Sequence, residues 1–148
     1  MPSLKQTLTD DMKAAMRAKQ KERLATIRLI LSEVKQVEVD ERIEVEDTRL
    51  LSILDKMAKQ RRESITQFEQ ADRQDLAQKE QQELTIISEF LPEPLSESEV
   101  DTLIQQAVTD TQAASIKDMG KVMAQLKPVL QGRADMSVVG QKVKQHLN

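Results

Sequence analysis

The sequence predicts an all-α protein, and three observations carry that expectation. Phe68 and Phe90 are the only aromatic residues, with no Trp or Tyr, whereas sheet cores lean on aromatic and β-branched side chains. Good helix formers (Leu, Ala, Gln, Glu, Lys and Met) are abundant instead. Three glycines and four prolines leave little material for tight hairpin turns. The 148 residues suit one domain or two very small ones. The expected organisation is a larger N-terminal helical part of about four helices, residues 1–92, followed by a small three-helix part, residues 93–148.

The first helix is expected to begin at Ser3, whose hydroxyl can cap the first turn. Leu4, Leu8, Met12, Ala15 and Met16 then recur at helical spacing. A second helix should cover about residues 21–37, with Leu24, Ile27, Leu31 and Val34 as its inward stripe. From residue 38 to 47 the pattern fails and six acids accumulate. This stretch reads as a solvated connection that leaves acids at the start of the third helix, where they favour its dipole. The third helix is expected over about residues 48–70. The fourth should start at Asp72 or Gln74 and end at Phe90, with Asp72 as N-cap and Asp75 in the first turn.

The third and fourth stripes fit together numerically. Leu50 with Leu91, Leu54 with Ile87, Met57 with Leu84 and Ile65 with Leu76 all have residue numbers summing to 141, as two antiparallel helices folding back near Gln70 and Ala71 require. Arg61 and Glu80 have the same sum, so a partly buried interhelical ion pair is expected there.

Leu91-Pro92-Glu93-Pro94 is the clearest boundary, because proline removes a donor and turns its predecessor away from the helix. Ser96 and Glu99 then have capping-box spacing, opening a fifth helix with Val100, Leu103, Ile104, Ala107 and Val108 on one face. Ser115 and Asp118 repeat that spacing ahead of Met119, Val122, Met123 and Leu126, and Pro128 and Gly132 should close the sixth helix. Asp135 or Ser137 should cap a seventh, which turns Val139, Val143 and Leu147 inward. This last part is short for an independent core.

Composition removes several chemistries. The absence of cysteine excludes disulfides, thiolate metal sites and cysteine nucleophiles. His146 is the only histidine and lies near the chain end, a poor place for a catalytic base. Gly120, Gly132 and Gly140 are isolated and follow no strand, so no phosphate-binding loop is expected. No catalytic residue, metal or cofactor is expected. No apolar run approaches the ~20 residues that span a bilayer, and the N-terminus lacks a signal-peptide core. The expectation is a cytoplasmic protein with no membrane partner and no DNA partner.

The basic residues are more suggestive. The chain carries a formal charge of -3. Between residues 13 and 35, however, seven basic residues (Lys13, Arg17, Lys19, Lys21, Arg23, Arg28 and Lys35) face two acids, a local charge of +5. Lys56, Lys59, Arg61 and Arg62 form a second cluster. Lys and Arg supply sequence-independent attraction to phosphate backbones, while the lack of aromatics argues against base stacking. Gly120, beside Lys121, sits inside a helical pattern at a cost of roughly 1 kcal/mol relative to Ala. Either helix packing leaves no room for a side chain there, or a partner's backbone or phosphate approaches.

Several segments, in order, carry a family resemblance. They include Ala14-Ala15-Met16-Arg17, Leu24-Ala25-Thr26-Ile27-Arg28 and Lys59-Gln60-Arg61-Arg62-Glu63-Ser64. Phe68 through Arg73-Gln74-Asp75-Leu76 to Glu80, then Phe90-Leu91-Pro92, Met119-Gly120-Lys121-Val122-Met123 and Gly132-Arg133-Ala134-Asp135 continue it. Together they resemble a YqeY-like protein of the GatB/YqeY family, related to the C-terminal tail domain of the GatB subunit of the tRNA-dependent amidotransferase. The resemblance implies an all-helical fold with a larger N-terminal and a smaller C-terminal part. It also implies an association with carbon–nitrogen ligase activity using glutamine as amido-N-donor, although this chain shows no ATP-binding loop and no amidase serine–lysine signature.

The function expected is therefore a non-catalytic helical module binding tRNA or structured RNA, as an accessory to aminoacyl-tRNA metabolism and in concert with a protein partner. The candidate contacts are Lys13, Arg17, Lys19, Lys21 and Arg28, then Lys59 and Arg62, then Lys117, Gly120 and Lys121. The alternative is a protein-interaction module with no nucleic-acid role, docking a partner around the last three helices.

Overall fold

The computed structural model describes residues 3–148. Among them are seven α-helices, one short 3-10 helix and no strand. The helices are α1 (Leu4–Arg17), α2 (Lys21–Glu41), α3 (Asp47–Gln70), α4 (Gln74–Ser88), α5 (Glu97–Asp110), α6 (Met119–Leu130) and α7 (Met136–Leu147), with the 3-10 turn Ile116–Asp118 leading into α6. The chain divides into two compact units, Met1–Leu91 and Pro92–Asn148.

In the first unit α3 and α4 form an antiparallel hairpin whose base packs on α1 and α2. Ser3 caps α1 by accepting from the Gln6 N–H at 3.1 Å. The core gathers Leu8, Ile27, Ile30, Val34, Leu50, Leu54 and Ile87, all buried. Every α3 residue of this core lies at or before Ala58, and the α4 residues packed on it are Leu84, Ile86 and Ile87. From Lys59 to Glu83 the hairpin therefore contributes nothing to the shared core. Arg61 marks the transition: its Nε lies 3.2 Å from Glu83 Oε2 and 4.0 Å from Glu80 Oε2.

Several expectations need correction here. α2 runs to Glu41 rather than stopping at Val37, because the acids that looked like a loop form its last turn. One of them, Glu38, accepts two hydrogen bonds from Lys5 Nζ (2.8 and 3.1 Å) and one from the Val45 N–H at 3.0 Å. Lys5 first and Val45 second hold its carboxyl below the usual range. The connection shrinks to residues 42–46, and Val45 within it is buried in the core. Asp72 does not cap α4; it sits at φ 58°, and Arg73 takes the N-cap position without capping the helix through its side chain, which pairs with Asp75 instead. α4 ends at Ser88, two residues before Phe90. Met16 is 48% exposed, whereas Ile30, left out of the expected stripe, is fully buried.

The second unit builds its own core from Val100, Ile104, Val122, Leu126, Leu130, Val139 and Val143. Ser96 caps α5, accepting from the Glu99 N–H at 3.1 Å. Asp118 accepts from the N–H groups of Ala114 (2.9 Å) and Ser115 (3.3 Å), which pull its carboxyl below the ordinary range. That capping box opens the 3-10 turn rather than α6 directly. Pro128 lies inside α6, which continues to Leu130; Gly132, at φ 80°, follows the helix end. Asp135 caps α7 through the Ser137 N–H at 2.9 Å.

Candidate nucleic-acid interface

The α1–α2 turn is built by the Schellman pattern. The Gln20 N–H bonds to the Ala15 carbonyl at 2.9 Å and the Lys19 N–H to the Met16 carbonyl at 3.2 Å. Lys19 takes the left-handed conformation at φ 58° that this closure needs. The chain reverses within three residues, so Lys19 and Lys21 end up on the wall of one open groove of about 520 Å³. Gln20, Glu22, Arg23 and Ile86 of α4 complete it. Gln20 makes no side-chain cap, so the first N–H groups of α2 remain without one.

Lys13 and Arg17 stand one turn apart on α1 and lead into this turn. All four cations, Lys13, Arg17, Lys19 and Lys21, are exposed and make no ion pair among the described residues. Arg23 behaves differently, although the sequence groups it with them. It pairs with Glu89, lies 3.7 Å from Asp11 and sits over the Phe90 ring at 5.8 Å. Arg23 thus ties α1, α2 and the end of α4 together, and its charge is already used. Sequence spacing gave no sign of this, since Glu89 is 66 residues away.

The remaining candidates lie elsewhere. Arg28 is exposed on α2, on the face turned away from Ile27 and Ile30. Lys59 and Arg62 are exposed on α3 and line no part of the groove. Lys117, Gly120 and Lys121 belong to the second unit, where all three are exposed and Lys121 lies 4.0 Å from Asp118. A Cβ built on Gly120 would meet nothing within 4 Å, so the packing explanation for this glycine falls. Arg61 points into its two carboxylates across the hairpin, an arrangement in which Glu83 was missed because it lies one turn past the matching number.

Among the described residues no group of three or more His, Cys, Asp or Glu is placed to hold a metal ion. No helix among them is long and apolar enough to cross a membrane.

Comparison with known proteins bears out the family resemblance. The family model described as Yqey-like protein matches residues 5–147. A relative from Pyrenophora tritici-repentis named altered inheritance of mitochondria protein 41, mitochondrial, is 33% identical over 141 residues, covering 93% of this chain and 77% of that protein. The protein of the same name from Vanderwaltozyma polyspora is 37% identical over 106 residues, 70% of this chain and 57% of that protein. An uncharacterised protein of Schizosaccharomyces pombe is 31% identical over 96 residues, 65% of this chain and 78% of its own length. With the match running through both helical units, the chain belongs to the YqeY-like family.

Proposed function

We propose that this protein is a non-catalytic RNA-binding module whose α1–α2 turn grips the phosphate backbone of tRNA or another structured RNA. One observation carries the reading. Four exposed cations that make no ion pair among the described residues cluster at one turn of a net-acidic chain, while the neighbouring Arg23 is neutralised by its own contacts. Free cations of this kind release condensed counterions when they meet phosphates. Backbone contact suits a chain with two aromatic residues, Phe90 buried and Phe68 half-buried. Lys59, Arg62, Lys117, Gly120 and Lys121 are secondary contacts in this reading, and the chain acts as an accessory to aminoacyl-tRNA metabolism with no enzymatic activity of its own. Any carbon–nitrogen ligase role would belong to a complex with other subunits. Its cytoplasmic location is part of the same proposal; the mitochondrial location in the names of the fungal relatives belongs to those proteins.

The test is a fluorescence-anisotropy titration of labelled tRNA against salt. Neutralising Lys13, Arg17, Lys19 and Lys21 to Gln should weaken binding and flatten its salt slope, by about one unit per lost phosphate contact, without moving the melting temperature. Arg23→Gln should do the reverse, lowering the melting temperature and leaving the salt slope nearly intact. No tRNA binding at low salt beyond that of an equally acidic control protein would overturn the proposal.

A further inference from the structure

α2 has two apolar faces, and only one of them is used. Ile27, Ile30 and Val34 are buried in the core. On the opposite side Leu29 and Val39 are 43% and 60% exposed, and Ile43, in the turn that follows, is 44% exposed. With Leu29 and Gln36 written as heptad a positions, Ala25, Ser32 and Val39 fall at d, and all five are exposed. The flanks of this seam are sorted by charge. Arg28 and Lys35 occupy the g positions, and Glu33 and Asp40 occupy the e positions one heptad on. Among the described residues Arg28, Glu33 and Lys35, all exposed, make no ion pair, and Asp40 accepts only from Gln36 Nε2 on its own helix, at 2.9 Å.

We propose that this face is a self-association surface, on which the α2 helix of a second copy packs in parallel about a two-fold axis. The charges choose both partner and direction. In a parallel pair each g residue faces the e residue five positions on in the other helix. Arg28 then meets the second copy's Glu33, Lys35 meets its Asp40, and the symmetry doubles both pairs. In an antiparallel pair g faces g and e faces e, which sets Arg28 and Lys35 against cations and Glu33 and Asp40 against acids. The seam is about four turns long, with Ser32 and Gln36 within it. Polar residues at such positions fix register at the expense of stability, so the dimer is weak and reversible. The arrangement uses none of Lys13, Arg17, Lys19 and Lys21, although it would bring two α1–α2 turns to the same end and would engage Arg28.

Sedimentation equilibrium up to roughly 100 μM protein tests it, where a micromolar or weaker dimer is populated. The wild type should show a reversible monomer–dimer equilibrium. Glu33→Arg with Asp40→Lys should be monomeric, as should Arg28→Glu with Lys35→Glu, and an equimolar mixture of the two should dimerise. Because the chain has no cysteine, Ala25→Cys should form a disulfide-linked dimer on mild oxidation, since a parallel pair places Ala25 beside its own copy. All these residues lie outside the core, so melting curves should stay at the wild-type midpoint. A monomeric wild type, double variants that associate as wild type does, a mixture that stays monomeric, or no cross-link at Ala25→Cys would each overturn the proposal.

Discussion

Arg61 donates to Glu83 across the α3–α4 hairpin at 3.2 Å, with both side chains only 17% exposed. Glu80, the partner that matching residue numbers single out, stands further off at 4.0 Å. The charged layer therefore has one guanidinium shared unequally by two carboxylates.

Removing Arg61 strands both acids in a half-buried site. Arg61→Ala should destabilise by roughly 1–3 kcal/mol, less than the 3–5 kcal/mol of a deeply buried pair. Glu83→Ala should cost more than Glu80→Ala, following the distances. Replacing Arg61 and Glu83 together by Leu should recover much of the loss, because desolvation offsets most of an ion pair's attraction. Urea denaturation of the four variants checks the order. A Glu80→Ala change more costly than Glu83→Ala would contradict the geometry.

Acid should loosen the first unit through Glu38. Its carboxyl titrates below the usual value near 4.5 in the folded state, chiefly because of Lys5 and then Val45. A depressed folded value stabilises the fold above the unfolded value and loses that contribution as pH falls through the folded one. The melting temperature should thus decline as pH drops below about 4.5. Glu38→Gln should lower stability at neutral pH and flatten that decline. An unchanged acid slope in the variant would show that Glu38 is not a source of it.

Gly120 offers a test in which stability and binding move in opposite directions. A Cβ there meets nothing, so Gly120→Ala should raise stability by up to about 1 kcal/mol through helix propensity alone. If a phosphate approaches this bare stretch of α6, the same change should weaken tRNA binding. Thermal melts and anisotropy on one sample read both. A lower melting temperature would restore the packing explanation.

What was legible in the sequence follows physical range. Apolar periodicity exposed the all-α fold and the antiparallel α3–α4 hairpin, and the caps at Ser3, Ser96 and Asp135 announced themselves because a cap is a local event. Helix ends were harder to see because four of them close without glycine. Lys19, Asp72 and Gln112 all take the left-handed conformation in Schellman closures, and Arg42 takes it at the end of α2. Looking for glycine could find none of the four. The acids at the end of α2 looked like a loop because the residues that employ Glu38, Lys5 and Val45, lie on other segments. Within the candidate interface, the cluster of cations could be read by counting. The withdrawal of Arg23 could not, because it depends on Glu89 and Phe90 folding back onto α2.

That the shared core stops at Ala58 and Leu84 has a consequence for how this architecture can vary. Beyond the Arg61 layer the two helices answer only to each other, so matched whole-turn insertions or deletions on either side of the Gln70–Gln74 reversal leave the four-helix base untouched. The hairpin is in this sense a telescoping element, with a reach that can drift while its anchorage stays fixed.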